Sequence, residues 1–156
     1  MKKFSRFSGK TVLLAGSTGG IGQALVERFA TEGANLVLVD KDSSLLQAQV
    51  KSLGEKAICF TSDVSIEDQT DSVFEAAINR YGKIDVAVLN AGIKGKISDI
   101  EEMKIEDFDK VIAVNLRGVF IWLSRLMKTM KLQNNGVITI TSSIGGLILI
   151  RIRNRI

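Results

Sequence analysis

The sequence contains no histidine and no proline, and it has one cysteine, one tyrosine and one tryptophan among 156 residues. The absence of histidine excludes Ser-His-Asp and Cys-His catalysis, zinc sites built on imidazole, and acid–base steps that need a side chain titrating near neutrality. The single Cys59 excludes an internal disulfide, and its apolar neighbours Ile58 and Phe60 predict a buried, unreactive thiol. The sequence therefore predicts no metal site.

Long apolar runs are also missing. No stretch approaches the roughly 20 residues that cross a bilayer. The Met-Lys-Lys start is followed by an apolar segment that is too short for a signal peptide, which predicts a cytoplasmic protein that binds no membrane. The net charge of +4 comes from the two ends, which hold seven basic residues and no acidic ones, and the rest of the chain carries 14 basic and 17 acidic residues. This distribution argues against nucleic-acid binding.

Glycine, by contrast, is frequent, and four of the 14 glycines lie between residues 16 and 22. An apolar run at residues 11–15 predicts a buried strand before them, and apolar residues recur at helical spacing from Ile21 onward. Strand, glycine turn and helix is the arrangement that binds the diphosphate of a dinucleotide on backbone N–H groups and a helix N-terminus. Gly16 permits a sharp turn, and Gly20 and Gly22 permit close approach of the backbone to the diphosphate and of the helix to the strand. The spacing is G-x-x-x-G-x-G, which differs from the common G-x-G-x-x-G.

Strand-like and helix-like segments alternate along the rest of the chain. The apolar runs predict five strands, at residues 11–15, 36–39, 57–60, 84–89 and 137–141. Helices are predicted between them, at 43–53, from a Ser65 cap to about 81, and at about 105–130 with one broad apolar stripe from Phe108 to Leu126. Strands that are apolar throughout and separated by helices predict an α/β fold, a doubly wound parallel sheet in the order 3-2-1-4-5.

Polar and small residues follow each predicted strand, at the sheet edge where such folds bind ligands. Beyond the glycine turn they are Asp40, Asp63-Val64, Asn90-Ala91-Gly92 and Ser142-Ser143. A carboxylate at Asp40 is placed to accept hydrogen bonds from the adenosine ribose and to repel a 2′-phosphate, which favours NAD over NADP, although the adjacent Lys41 offsets part of that repulsion.

These residues together resemble the short-chain dehydrogenase/reductase family. The segment from Ala15 to Gly22, which includes Ser17 and Ile21, matches its T-G-x-x-x-G-x-G turn, with alanine in place of the first threonine. Asp63-Val64 is similar to the family's adenine-contacting pair, and Asn90-Ala91-Gly92 to its N-A-G element. Asn115 and Ser143 resemble its active-site Asn and catalytic Ser. The matches fall in order between residues 10 and 146.

The resemblance implies a Rossmann-type domain over residues 1–146 and hydride transfer between a nicotinamide and a small alcohol or carbonyl. In the family a Ser holds the substrate oxygen, and a Tyr gives or takes its proton. A Lys four residues after that Tyr lowers the Tyr pKa and binds the nicotinamide ribose, and the helix Asn holds a water in the proton path.

Each of these residues also has a purely structural explanation. Asn115 would serve as a helix residue that hydrogen-bonds neighbouring backbone, and Ser142 and Ser143 as a strand end or cap. Asn90 and Gly92 would serve as ordinary turn residues, and Asp40 as a solvated acid. Trp122, Met127 and Met130 are predicted to pack in the core or at an interface.

The family pattern ends before its Tyr-x-x-x-Lys pair. The only tyrosine is Tyr81, at a predicted helix end, and residues 147–156 contain neither Tyr nor Lys. We interpret 147–156 as a tail outside the family pattern and the chain as a fragment truncated after the fifth strand, inactive because its proton donor is missing. The alternative is a non-catalytic module that binds NAD or docks on a partner through uncovered apolar surface, with a homo-oligomer left open.

Overall fold

A computed structural model gives the structure of residues 5–143. The proposed tail at 147–156, and the domain boundary at 146, lie outside these described residues. Strands and helices alternate, as the apolar runs predict. The strands are β1 (Thr11–Ala15), β2 (Asn35–Asp40), β3 (Ala57–Thr61), β4 (Val86–Leu89) and β5 (Val137–Ile140). The helices are α1 (Gly20–Thr31), α2 (Ser43–Leu53), α3 (Thr70–Tyr81), α4 (Ile105–Ile112) and α5 (Val119–Gln133).

The strands form one parallel sheet in the order β3-β2-β1-β4-β5, which confirms the predicted topology. Successive side chains of β1 enter opposite cores. Leu13 packs with Trp122 and Leu126 on one face, whereas Leu14 packs with Val26 on the other. Because both faces are covered, the strand must be apolar at every position rather than at alternate ones. This explains why the sequence shows continuous apolar runs.

The predicted cap of the third helix is wrong. Helix α3 begins at Thr70, after a short 3₁₀ turn at Glu67–Gln69, and Ser65 lies well before it. The Ser65 hydroxyl donates instead to the carboxylate of Asp63 at 2.6 Å. Helix α3 ends where predicted, because Gly82 adopts the left-handed conformation with φ 79°.

The single helix predicted at 105–130 is interrupted. A π-helical segment at Ala113–Gly118 separates α4 from α5, and we call it the π segment. The predicted apolar stripe is only partly buried: Phe108 is half exposed, while Ile121, Trp122, Leu126 and Met130 form the buried face of α5. Trp122 and Met130 therefore pack in the core as expected, and Met127 is exposed.

Two further side chains bear on the chemistry that the sequence allows. Cys59 is half-buried, and burial raises the pKa of its thiol. Tyr81 packs against the core beside α5, and burial raises the pKa of its phenol. Within residues 5–143, no helix is long and apolar enough to cross a membrane.

Candidate functional site

The glycine turn between β1 and α1 has a backbone that only glycine permits at two positions. Gly16 has φ +81°, and a Cβ atom there would lie 2.6 Å from the backbone nitrogen of Ala91. A Cβ atom on Gly22 would overlap the carbonyl oxygen of Gly16, because α1 packs directly against the turn. Gly20 differs, since a Cβ atom there would point into open space. Gly16 and Gly22 shape the turn, and Gly20 leaves open space in front of the turn.

Side-chain amides from three elements hold the carbonyl groups of this turn. The amide of Asn90, after β4, donates to the Gly16 oxygen at 3.0 Å. The amide of Gln49, on α2, donates to the Ser17 oxygen at 2.8 Å, and that of Gln23, on α1, to the Thr18 oxygen at 2.7 Å. Because three consecutive carbonyls are engaged in this way, the peptide planes of the turn are fixed.

A cleft of about 480 Å³ opens at the carboxyl edge of the sheet, directly beside the glycine turn. The structure brings seven of the predicted site residues into its lining: Gly16, Asp40, Asp63, Val64, Asn90, Ala91 and Gly92. Residues that come from four different strand ends therefore meet at one cavity. This is the position at which doubly wound sheets bind their ligands.

The two carboxylates of the cleft are fixed by hydrogen bonds from neighbouring groups. Asp40 accepts from the Thr18 N–H at 2.9 Å and from the Lys41 N–H at 2.8 Å, so its orientation is tied to the glycine turn. Asp63 accepts from the hydroxyl and the N–H of Ser65, which hold the pKa of its carboxyl below the usual value. Asp63 is therefore ionised at neutral pH.

Asn115 lies in the π segment and forms a reciprocal pair with one backbone unit of the cleft wall. Its side-chain oxygen accepts from the Ile93 N–H at 2.8 Å, and its amide donates to the Ile93 carbonyl at 2.9 Å. On the other side, Arg117 donates to the Ser65 carbonyl at 2.8 Å. The π segment thus holds the loops after β3 and β4, and these are the two walls of the cleft.

The remaining predicted site residues lie near the cleft without lining it. Ser17 is fully buried against Gln49, and Ile21 is exposed on the first turn of α1, beside Gly20 and Gly22. Asn115 stands behind the wall that Ile93 forms. Ser143 is an exposed residue just beyond β5, and Thr141, two residues earlier, donates from its hydroxyl to the side-chain oxygen of Asn90 at 3.0 Å.

Several lining residues were not singled out from the sequence as binding residues. They are Thr18, Gly19, Lys41, Ser62, Ser65, Ile93, Lys110, Ala113 and Val114. Thr18 and Gly19 lie inside the glycine motif, and Ser62 directly precedes Asp63, so their positions were the available signal. Lys110, Ala113 and Val114 reach the cleft only because the end of α4 and the π segment pack over the sheet edge, and no local pattern indicates this.

The Ser62 side chain is nearly fully buried in the lining of the cleft. Ser62 is 5% exposed, and its Oγ forms no hydrogen bond within the described residues. A buried hydroxyl without a partner is unfavourable, so this one fits a site whose ligand carries polar groups. The described residues contain no group of three or more His, Cys, Asp or Glu side chains that could hold a metal ion.

Comparisons with known proteins show which family and which solved structures this chain is similar to. A sequence model of the short chain dehydrogenase family matches residues 10–151. Levodione reductase from Leifsonia aquatica is 39% identical over 148 residues, which are 92% of this chain and 55% of the relative. The chain spans little more than half the length of the curated relatives it matches.

Two solved structures with bound cofactor are also similar. A 3-ketoacyl-(acyl-carrier-protein) reductase from Brucella melitensis, complexed with NADH, is 34% identical with a TM-score of 0.84, over 88% of this chain and 59% of that one. An NAD⁺-bound xylitol dehydrogenase is 32% identical with a TM-score of 0.86, over 91% of this chain and 56% of that one.

Proposed function

Because this chain belongs to the short-chain dehydrogenase/reductase family, we propose that its cleft binds a nicotinamide dinucleotide, NAD(H) in preference to NADP(H). The observation that carries the proposal is the convergence of the glycine turn, Asp40, Asp63-Val64 and Asn90-Ala91-Gly92 on one cavity. Two similar structures are described as complexes with NADH and NAD⁺.

The residues present fit such a ligand. The space in front of Gly20 and the N-terminus of α1 suit a diphosphate, since N–H groups there have no partner within the helix. Ser62 offers a hydroxyl that has no hydrogen-bond partner among residues 5–143, and Asp63 offers an ionised carboxylate. When bound, a nicotinamide would supply the hydride or accept it. The residues of this chain would hold the dinucleotide and shield it from water.

The preference for NAD rests on Asp40. Its carboxylate lies at the end of β2 in the cleft lining, where it would accept hydrogen bonds from ribose hydroxyls and repel a 2′-phosphate. Lys41 also lines the cleft and reduces this repulsion. The Asp40 carboxylate is held in place by the backbone N–H groups of Thr18, Lys41 and Asp42, so its position does not depend on the ligand.

Titration of the 156-residue chain with NADH and NADPH, followed by nicotinamide fluorescence, tests the proposal. We expect saturable NADH binding that is tighter than NADPH binding. Asp40→Asn keeps an acceptor for the Thr18 N–H but removes the charge. It should therefore weaken NADH binding about tenfold and reduce the difference in affinity between NADH and NADPH. Glu75→Gln, an exposed change of the same kind on α3, should alter neither affinity. Absence of saturable binding overturns the proposal, and tighter NADPH binding overturns the preference.

The catalytic part of the proposal is that this chain, by itself, does not turn over substrate. In the family, the residues that match Ser143 and Asn115 act on the substrate oxygen and the proton path, but the sequence contains no Tyr-x-x-x-Lys. General acid–base catalysis contributes about 10²–10⁴-fold, and the phenol of Tyr81 is buried against the core, away from the cleft lining. NADH-linked assays on a panel of small alcohols and carbonyls should show negligible rates, and turnover typical of the family would contradict this part.

A second candidate function is a non-catalytic module that binds dinucleotide and docks on a partner or a second copy. It is favoured by apolar residues that follow one another every three or four positions along the outside of α4, the π segment and α5: Ile105, Phe108, Ile112, Leu116 and Phe120. All five are exposed, and an exposed apolar stripe of this extent commonly marks an interaction surface. Light scattering after size-exclusion chromatography should then show one discrete oligomer that Phe120→Lys dissociates. Polydisperse aggregates would contradict this function.

A further inference from the structure

Gln49 on α2 makes two hydrogen bonds to one residue of the glycine turn. Its amide nitrogen donates to the Ser17 carbonyl at 2.8 Å, and its amide oxygen accepts from the Ser17 hydroxyl at 3.1 Å. Ser17 is fully buried and Gln49 is half-buried, so solvent does not reach Ser17 while the Gln49 side chain is in place. The two residues are 32 positions apart, and the contact joins α2 to the turn before α1.

The peptide unit between Ser17 and Thr18 is held at both ends. Its carbonyl is bound by Gln49, and its N–H donates to the carboxylate of Asp40 at 2.9 Å. The carbonyl and N–H of a trans peptide point in opposite directions, and the described chain has no cis peptide bond. Rotation of this peptide would therefore break both bonds at once. It would also release the Asp40 carboxylate from the turn.

We propose that Gln49 is a positioning residue for the dinucleotide site, which holds the Ser17–Thr18 peptide so that the Thr18 N–H stays on Asp40. Gln49 does not line the cleft, so it acts through the turn and not by touching the ligand. This one peptide links the turn proposed to bind the diphosphate to one oxygen of the carboxylate proposed to bind the ribose, while the N–H groups of Lys41 and Asp42 hold the other oxygen. The inference rests on the proposed function for its effect on cofactor binding, although the hydrogen bonds themselves do not.

Gln49→Met tests the inference, because methionine keeps the length of the side chain and removes both hydrogen bonds. We expect the amide of Thr18 to lose protection from hydrogen exchange, measured by NMR. NADH affinity should fall about three- to tenfold, and the preference for NADH over NADPH should shrink. A residue that serves only stability would lower affinity for both cofactors equally and leave the ratio unchanged.

Three further variants separate the two bonds and guard against simple misfolding. Gln49→Glu retains an acceptor for the Ser17 hydroxyl but has no donor for its carbonyl, so it should reproduce the loss of Thr18 protection. Ser17→Ala removes only the hydroxyl bond and should retain most of the protection. Gln47→Met, two residues earlier on α2, removes an exposed amide that donates to the Cys59 sulfur at 3.7 Å and has no hydrogen bond to the turn within residues 5–143, so it should change nothing at the turn.

The outcomes separate this inference from the proposed function. Retained protection of the Thr18 amide in Gln49→Met overturns the inference, whatever the cofactor affinity. Lost protection with unchanged NADH affinity and selectivity also overturns it. If the unaltered chain fails to bind NADH, the proposed function is overturned. The hydrogen-bonding role of Gln49 is then tested only by the hydrogen exchange of the Thr18 amide.

Discussion

At the scale of single residues, the glycines of the turn serve different physical purposes although the motif treats them alike. Gly16 and Gly22 are required by protein packing, because a side chain at either position would collide with backbone. Gly20 meets nothing within 4 Å. Its lack of a side chain is therefore not required by packing among the described residues, whereas the dinucleotide proposed above would need that open space.

Replacement of these glycines by alanine should separate folding from binding. Gly22→Ala forces the first turn of α1 away from the strand and should lower the free energy of unfolding by about 2 kcal/mol or more. Gly20→Ala should leave that free energy unchanged or raise it by up to about 1 kcal/mol, since alanine favours the helix. Its added methyl group should nevertheless weaken NADH binding. Urea unfolding and nicotinamide fluorescence measure the two effects, and a stable Gly22→Ala variant would contradict the assignment.

At the scale of elements, the sequence predicted the order and type of most strands and helices because their signals are local. Buried strands between two helical layers must be apolar throughout, and glycines such as Gly82 mark helix ends directly. The cap at Ser65 failed for a different reason. The chain first makes a 3₁₀ turn at Glu67–Gln69, so α3 begins only at Thr70 and its first N–H groups lie too far along the chain for Ser65 to cap, which a capping-box pattern does not reveal.

The residues of the candidate site likewise fall into those with a local sequence signal and those that only the folded structure places there. Residues at or just after the end of a strand, such as Asp40 and Asp63, could be predicted because parallel strands end at one edge. Lys110 and the π segment could not, since they reach the cleft through packing against the loops at Ser65 and Ile93. Ser62 was missed although it precedes Asp63, because only the structure shows that its hydroxyl lacks a partner.

A side-chain amide also joins α5 to the start of β4. The amide nitrogen of Gln133 donates to the Ile84 carbonyl at 2.9 Å, and its oxygen accepts from the Ile84 N–H at 3.0 Å. Ile84 is fully buried, so both backbone groups would otherwise lack partners. Gln133→Leu should lower the free energy of unfolding by about 1–3 kcal/mol in urea. Gln47→Leu is the matched control, and an equal, small change in both variants would refute the role of Gln133.

At the scale of the whole molecule, the two ends of the sheet carry different chemistry. The carboxyl edge holds the cleft, whereas the amino edge holds two buried carboxylates that are paired with cations. Glu32 accepts from Arg6 at 2.5 Å and pairs with Arg28 at 2.6 Å, and Asp85 pairs with Lys10 and Lys83 at 3.1 and 3.2 Å. The amino edge thus anchors the segment before β1 without contributing to the cleft.

These ion pairs predict how stability depends on pH. Hydrogen bonds from Arg6 hold the pKa of Glu32 below its usual value. Burial alone would raise the pKa of Asp85, but the Thr11 N–H and the two lysines lower it overall. Lowered pKa values mean that the unfolded chain takes up protons first as pH falls, so stability is present above the ordinary values of 4.5 and 3.8 and is lost progressively below them.

The free energy of unfolding should therefore be level near neutrality and decline in acid. Glu32→Gln should be less stable at pH 7 and show a shallower decline, whereas Glu27→Gln, an exposed change on α1 five residues earlier, should follow the parent curve. If the curves of stability against pH are parallel for the parent and Glu32→Gln, the Glu32 carboxylate does not cause the pH dependence. NADH affinity at pH 7 should be equal in both proteins, because the Arg6–Glu32 ion pair lies at the opposite end of the sheet from the cleft.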